Sequence, residues 1–242
     1  LYVAAPIFVI TMPLWQFAVA YLAWLVFRPL DLHLKNKCYR AAQVLREKHN
    51  DLTVVGITGS VGKTTAKSLL AHVLESHAPA VTPAYVNSDM GVARWLTKTL
   101  SSATVPNLLI VEMGAYRQGE ISLLASIAIP THGIVTYIGT QHVALFGSQA
   151  KLLEAKSELL QSLPESGQAF INCDSPFWEE LKNRSKGTIT TVGTGNHGDI
   201  EAQDIEETTN GIRFRVDSTS YSLSLHGLHN VSNALLVIAC AK

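Results

Sequence analysis

The first 27 positions, LYVAAPIFVITMPLWQFAVAYLAWLVF, carry no charged side chain. A helix needs roughly 20 apolar residues to cross a bilayer, so residues 1–27 read as a transmembrane segment. Tyr2, Trp15, Tyr21 and Trp24 are aromatic, and those near the ends suit the two membrane interfaces. Pro6 and Pro13 are tolerated in membrane helices, or else break the segment into two pieces. A buried core helix has the same apolar length and stays open as the alternative. Residues 28–50 then turn amphipathic and basic, with a helix expected from about residue 34 to 48. Arg28, Lys35, Lys37, Arg40, Arg46 and Lys48 stand there against Asp31 and Glu47. That excess places the following chain in the cytoplasm and suits a connector lying near anionic headgroups. A charged leader region and a small-residue cleavage site, the marks of a signal peptide, are not visible. The chain opens on Leu1, so further sequence upstream, including more membrane helices, is expected.

From residue 52 the pattern changes. Short apolar runs at 52–56, 107–112, 133–138, 167–172 and 187–192 alternate with helical periodicity at 90–100, 119–127, 148–162 and 176–184. Buried strands alternating with helices predict an α/β fold with a parallel sheet flanked by helices. Residues 199–225 differ: IEAQDIEE, the turn-former Asn210-Gly211, IRFRVD and SYSLSL read as a small antiparallel meander. An apolar helix is expected from residue 228 to the end. The predicted organisation is a transmembrane segment (1–27), a basic juxtamembrane connector (28–50) and a nucleotide-binding domain (51–242).

The charged share is 16%, low beside about 25% for typical soluble domains. The formal net charge is +0, so no global electrostatic pull toward nucleic acid is present. Cys38, Cys173 and Cys240 are too far apart in sequence for metal-ligand spacing, and their odd number argues against a disulfide framework.

The candidate chemistry begins with GITGSVGKTTAKSLLAHVL, residues 56–74, which follows an apolar run and opens onto a helical pattern. Strand, glycine-rich loop and helix are the layout of a P-loop. Gly59 and Gly62 let consecutive backbone N–H groups face phosphate oxygens, and the helix offers its positive end to the same anion. Ser60 and Thr65 belong to the same cradle. Lys63 reaches the outer phosphates, and the Thr64 hydroxyl suits Mg²⁺. The full consensus wants glycine where Ile57 stands, so the match is to the C-terminal half of the motif. Glu112 ends an apolar run and is placed to hold Mg²⁺ opposite Thr64. Residues 59–64, Glu112 and residues 139–142 all lie just past strand ends, where open α/β sheets bind ligands. Taken singly, His142 is a lone histidine, Lys156 an ordinary helix-face lysine, Asn172 and Asp174 turn formers, and Asn230 and Asn233 helix-capping asparagines.

GITGSVGKTT, VEMGAYRQGEI, YIGTQHVALFGS, EAKSELL, INCDSP and GLHNVSNAL stand in the order and rough spacing of the Mur ligases, the ATP-dependent amide ligases of peptidoglycan precursor assembly. The resemblance covers residues 52–242. The E-M-G-A-x-x-x-G-E-I block, residues 112–121, most resembles the D-alanyl-D-alanine-adding branch. Folylpolyglutamate synthase and similar relatives share the P-loop without that block. The resemblance implies ATP and Mg²⁺ as cofactors, with Lys63 on the phosphates and Thr64 and Glu112 on the metal. It implies that His142 helps hold a second Mg²⁺, that Lys156 is carbamylated and so becomes an anionic metal ligand, and that Asn230 lies near the adenine. Asn87, in PAYVNSDMGVARWL, falls in a segment similar to the family's substrate loop, without its paired asparagines. The family's uridine-nucleotide-gripping N-terminal domain is replaced here by the membrane segment and connector. The expected partners are therefore membrane lipid and a cell-wall precursor, either UDP-linked or membrane-presented. A C-terminal domain that completes the ATP site and binds the amine is expected beyond Lys242. The activity implied is addition of D-alanyl-D-alanine to a muramoyl-tripeptide through an acyl phosphate, by a membrane-anchored protein with its catalytic domain in the cytoplasm. A membrane-anchored P-loop nucleotide-binding module or ATPase without ligase activity is the alternative. A carbamate at Lys156 separates the two, because a plain ATPase has no need of it.

Overall fold

The computed structural model describes residues 4–139, 143–195 and 197–242. The apolar stretch and the basic stretch behind it form one continuous helix, α1 (Ala4–Lys48). Pro6 and Pro13 both lie inside that unbroken helix, so of the two readings the tolerated proline holds and the break does not occur. From Trp15 through Leu34 every residue of α1 is exposed, with Phe17 at 75%. The Arg28 guanidinium stacks 4.5 Å above the Trp24 ring, which itself stacks on Tyr21.

Residues 28–50 are not a free connector along their whole length. Tyr39, Ala42 and Arg46 form a helical stripe that is buried against the domain. The core they join includes Val92 and Leu96 of α3 (Asp89–Leu100) and Ile121 and Leu124 of α4 (Glu120–Ala128).

The domain is built on seven parallel strands. β1 (Thr53–Thr58) lies between β3 (Leu108–Glu112) and β4 (His132–Val135). The two-residue β2 (Ala80–Val81) forms one edge. β5 (Gln168–Asn172), β6 (Thr188–Gly193) and β7 (Ile200–Glu201) continue the other side, giving the order β2-β3-β1-β4-β5-β6-β7. The chain crosses from β3 to β4 over β1, and the loop after β1 opens at that reversal, the usual ligand position in such sheets.

Alternation along β1 divides its side chains between the faces. Val55 and Ile57 pack under α2 (Lys63–Val73) and α8 (Leu228–Ala241), against Ala66, Leu70, Val231 and Leu235. Val54 faces the opposite layer of α1, α3 and α4. α6 (Gln149–Ser162), preceded by the short α5 (Val143–Phe146), covers β4 and β5 on that same side through Leu152, Leu160 and Ile171. α7 (Trp178–Lys182) is shorter than the pattern indicated.

Two strand boundaries differ from the sequence pattern for a visible reason. The run 133–138 ends as a strand at Val135, because the next residues bend toward the P-loop: Thr136 N donates to Thr58 O, and Tyr137 bridges Val61. Residues 200–201 pair in parallel with β6 instead of opening the meander. Asp199 anchors that turn by accepting from the Thr191 N–H and hydroxyl, both at 2.8 Å. The meander is the remaining β8 (Gln203–Thr208), β9 (Gly211–Val216) and β10 (Thr219–Leu223), antiparallel as expected.

Candidate active site

β1 delivers the glycine-rich loop into a fixed frame. Gly59 and Gly62 sit at φ 145° and 92°, where side-chain-bearing residues are strained. Space forbids a side chain as well: a Cβ on Gly59 would lie 1.9 Å from Thr136 Oγ1, and one on Gly62 would lie 2.4 Å from Asn233 Oδ1. Ser60 N and Val61 N donate to Tyr137 O at 2.9 and 3.3 Å, and Thr136 Oγ1 donates to Val61 O at 2.6 Å. Ser60 Oγ is buried with no hydrogen-bond partner among the described residues. An orphaned hydroxyl inside a loop of this shape points to a ligand. Lys63 opens α2 and folds back across the loop, donating to Gly59 O at 2.8 Å and Ser60 O at 3.4 Å. Burial lowers its pKa, and the Glu112 charge opposes that shift. Thr65 is half-buried in the first turn of α2.

Glu112 ends β3 opposite Ile57 and is 3% exposed. Thr64 Oγ1 lies 3.2 and 3.1 Å from its two carboxylate oxygens, Asn87 Nδ2 donates to Oε1 at 3.2 Å, and Lys67 Nζ lies 2.9 Å from Oε2. Burial alone would raise this carboxyl's pKa. The hydrogen bonds from Lys67, Asn87 and Thr64 and the Lys67 charge outweigh it, so Glu112 is held below the usual carboxylate range. The loop carrying Asn87 is tied to the same strand end: Glu112 N donates to Thr82 Oγ1 at 3.0 Å and Gly114 N to Asn87 O at 2.8 Å. Lys67 lies outside the phosphate-loop motif, and the motif does not mark it. Its spacing of three residues from Thr64, which puts both on one helix face, was the available signal.

Lys156 is not on a solvated face. It is 2% exposed, and α6 is buried without interruption from Ala155 to Leu160. Burial first, then the Lys63 charge, lowers its pKa to about 8, with Glu158 and Glu120 opposing. Its Nζ stands 5.7 Å from the centre of the Phe146 ring. The flanking glutamates have other tasks. Glu158 accepts from Gly119 N at 2.6 Å and Ser122 N at 2.9 Å, capping α4, while Glu154 accepts from Gln118 Nε2. Glu120 turns the preceding loop by accepting from Tyr116 N and Arg117 N. His142 lies outside the described residues.

Beside Gly62 a cavity of about 330 Å³ opens between the P-loop and α8, lined by Tyr137, Asn172, Asp174, His229 and Asn233 among others. Ser232 Oγ donates to Asp174 Oδ2 at 2.6 Å, and Thr194 N donates to Asp174 Oδ1 at 2.9 Å. The INCDSP and HNVSNA segments therefore meet in one wall. Asn230 is not among the lining residues; its Nδ2 donates to His226 O at 2.7 Å and secures the start of α8. Asn172, Asp174 and Asn233, which read as turn formers and a capping residue, hold pocket positions instead. The structure thus brings together Gly59, Ser60, Gly62, Lys63, Thr64, Glu112 and Asn87, and buries Lys156 where the Lys63 charge still acts on it, while Asn230 lies three residues before Asn233 in α8.

Residues 57–241 match the Mur ligase middle domain. The UDP-N-acetylmuramoyl-tripeptide–D-alanyl-D-alanine ligase of Synechocystis sp. is 38% identical over 193 residues, which are 79% of this chain and 40% of that protein. The structure of MurF from Acinetobacter baumannii superposes with a TM-score of 0.79 at 29% identity, covering 86% of this chain and 46% of the other. MurF ligase from Thermotoga maritima in complex with ADP gives a TM-score of 0.73 at 25% identity, over 84% and 48% of the two chains. The chain spans less than half the length of these relatives.

Proposed function

The chain belongs to the Mur ligase family, and on that premise we propose that it supplies the ATP site of an enzyme adding D-alanyl-D-alanine to a muramoyl-tripeptide. The observation that carries the reading is one cluster. A P-loop with Lys63 and Thr64 faces the buried carboxylate Glu112, and a buried lysine, Lys156, lies within the electrostatic reach of Lys63. The D-alanyl-D-alanine specificity rests on the names of the relatives and on the E-M-G-A-x-x-x-G-E-I block.

In this reading a substrate carboxylate oxygen attacks the γ-phosphorus of ATP. An O–P bond forms as the bond to the ADP oxygen breaks. The amine nitrogen of the dipeptide then attacks the acyl carbon and loses a proton, and phosphate departs with the C–O bond electrons. Lys63 and the loop N–H groups hold the phosphates in line and neutralise charge that grows during transfer. Mg²⁺ fits the oxygen donors that converge here, Thr64 Oγ1 and the Glu112 carboxylate; when bound it would neutralise phosphate charge. Lys156, carbamylated, and His142 are the residues we assign to a second Mg²⁺. The carbamate arises when the neutral amine attacks CO₂, forming an N–C bond and releasing a proton. The cavity beside Gly62 suits the adenine, and the Asn87 loop the acceptor. α1 anchors the domain to the cytoplasmic face of a membrane, where the acceptor is UDP-linked or membrane-presented.

The test is ADP release by the complete gene product. Continuous release is expected only with the UDP-linked tripeptide and D-alanyl-D-alanine both present, with the amide seen by mass spectrometry. Lys63→Ala should abolish it, since a charge-assisted phosphate contact contributes about 1.5–3 kcal/mol to binding and more in the transition state. ADP release at an equal rate without the two substrates would point instead to an ATPase without ligase chemistry.

A further inference from the structure

Lys67 is outside the phosphate-binding motif, yet it makes the shortest contact to the Glu112 carboxylate among the described residues. Its Nζ is 2.9 Å from Glu112 Oε2, and the two side chains are only 5% and 4% exposed. Pro83 O accepts from the same ammonium at 3.4 Å, so the cation is held from two sides. Lys67 and Glu112 are both shielded from the solvent that weakens surface ion pairs. The remaining partners of Glu112 are also donors: Thr64 Oγ1 reaches both oxygens and Asn87 Nδ2 reaches Oε1.

The charge balance of this corner is therefore set before any ligand arrives. Lys67 cancels the charge of Glu112. Lys63 adds a further positive charge within reach of Glu112. Among the described residues no three His, Cys, Asp or Glu side chains gather into a metal cage. A lone divalent cation entering here meets a neutralised carboxylate and a surplus of positive charge. A nucleoside polyphosphate brings several negative charges and its own oxygen ligands, which reverses that balance.

We propose that Lys67 keeps Glu112 charge-neutralised, so that the divalent cation enters this site only as its complex with a nucleoside polyphosphate and not by itself. Lys67 is in this sense a positioning residue. It holds Oε2 of the carboxylate while Asn87 holds Oε1, with Thr64 Oγ1 near both, and it ties the metal ligand to the 82–87 loop through Pro83. The inference rests on Thr64 and Glu112 being the metal's ligands.

The experiment is equilibrium dialysis of Mn²⁺ against the complete protein in CO₂-free buffer, with and without ATP, read as Mn²⁺ retained in the protein chamber above that in the protein-free chamber. Wild type should bind Mn²⁺ with ATP present and leave it free without ATP. Lys67→Met strands a buried carboxylate without its counter-ion, so it should bind Mn²⁺ in the absence of nucleotide, at least on the order of tenfold more tightly than wild type. Lys67→Arg keeps the charge and should behave as wild type. Binding of Mn²⁺ by nucleotide-free wild type as tight as with ATP would overturn the proposal, and needs no variant to fold. A folded Lys67→Met that still ignores Mn²⁺ without nucleotide would overturn it equally. Failure of wild type to bind Mn²⁺ even with ATP would instead remove the assignment of Thr64 and Glu112 as ligands, a separate outcome.

Discussion

At the scale of single residues, Lys156 carries the largest gap between local appearance and actual setting. In EAKSELL it looks like a solvated helix lysine, and the family resemblance alone marked it. The structure buries it and lowers its pKa to about 8. About one amine in ten is then neutral at pH 7, roughly 300-fold more than for an ordinary lysine, and only a neutral amine can take up CO₂. Burial of the charged form also has a cost to stability. Between pH 8 and the ordinary lysine value the unfolded chain holds more protons than the folded one, so stability should rise across that window. Lys156→Met should therefore be more stable than wild type at pH 7 by about 3 kcal/mol, with the advantage shrinking toward pH 10.5 as both states lose the proton. Urea unfolding in CO₂-free buffer measures it, and a pH-independent difference would mean the lysine is not stressed by burial. In the complete enzyme, Lys156→Ala should lose activity and recover part of it with formate or acetate. Full activity without rescue would reduce Lys156 to a packing residue.

Among the elements, α1 departs most from its sequence description. The basic stretch suggested a connector, but the Arg46 side chain is 1% exposed and grips the base of the domain. Its Nε donates to Ala128 O at 3.0 Å and its Nη2 to Leu52 O and Ile129 O at 3.1 and 3.2 Å, with Nη1 on His49 O. These carbonyls belong to the end of α4 and the entry to β1, the opposite end of the strands from the P-loop. Arg46→Met should cost about 3 kcal/mol in unfolding free energy, measured in detergent, while leaving nucleotide affinity unchanged. A loss below about 0.5 kcal/mol, the level of ordinary surface substitutions, would show the clamp is not structural. Tyr39 repeats the theme nearer the site: its hydroxyl donates to Asp89 Oδ2 at 2.6 Å, at the first turn of the helix that follows the Asn87 loop. Burial and that bond push its pKa up.

For the whole molecule, one helix joins an exposed apolar rod to the body that holds the site. Residues 4–27 of α1 would extend about 36 Å, enough for a hydrocarbon core of about 30 Å, and the exposed stretch from Trp15 has no protein partner among the described residues. The complete chain should sediment with membranes and be released by detergent, not by high salt. Recovery in the soluble fraction without detergent would overturn the anchor. The apolar run, the alternation of strands and helices and the phosphate loop were all legible in the sequence. Each is written in contiguous residues with a fixed period, and hydrophobic patterning plus glycine conformation suffice to specify them. The family was legible for the same reason, as a string of local motifs. Only the tertiary structure decided that Lys67 pairs with Glu112, that Lys156 is buried, that Asn233 rather than Asn230 stands against Gly62, and that Arg46 closes on carbonyls such as that of Ala128, 82 residues away. A lysine or asparagine on a helix has the same local signature whether it faces water or a partner. Its role is set by what the sheet brings opposite it, and helical period carries no record of that.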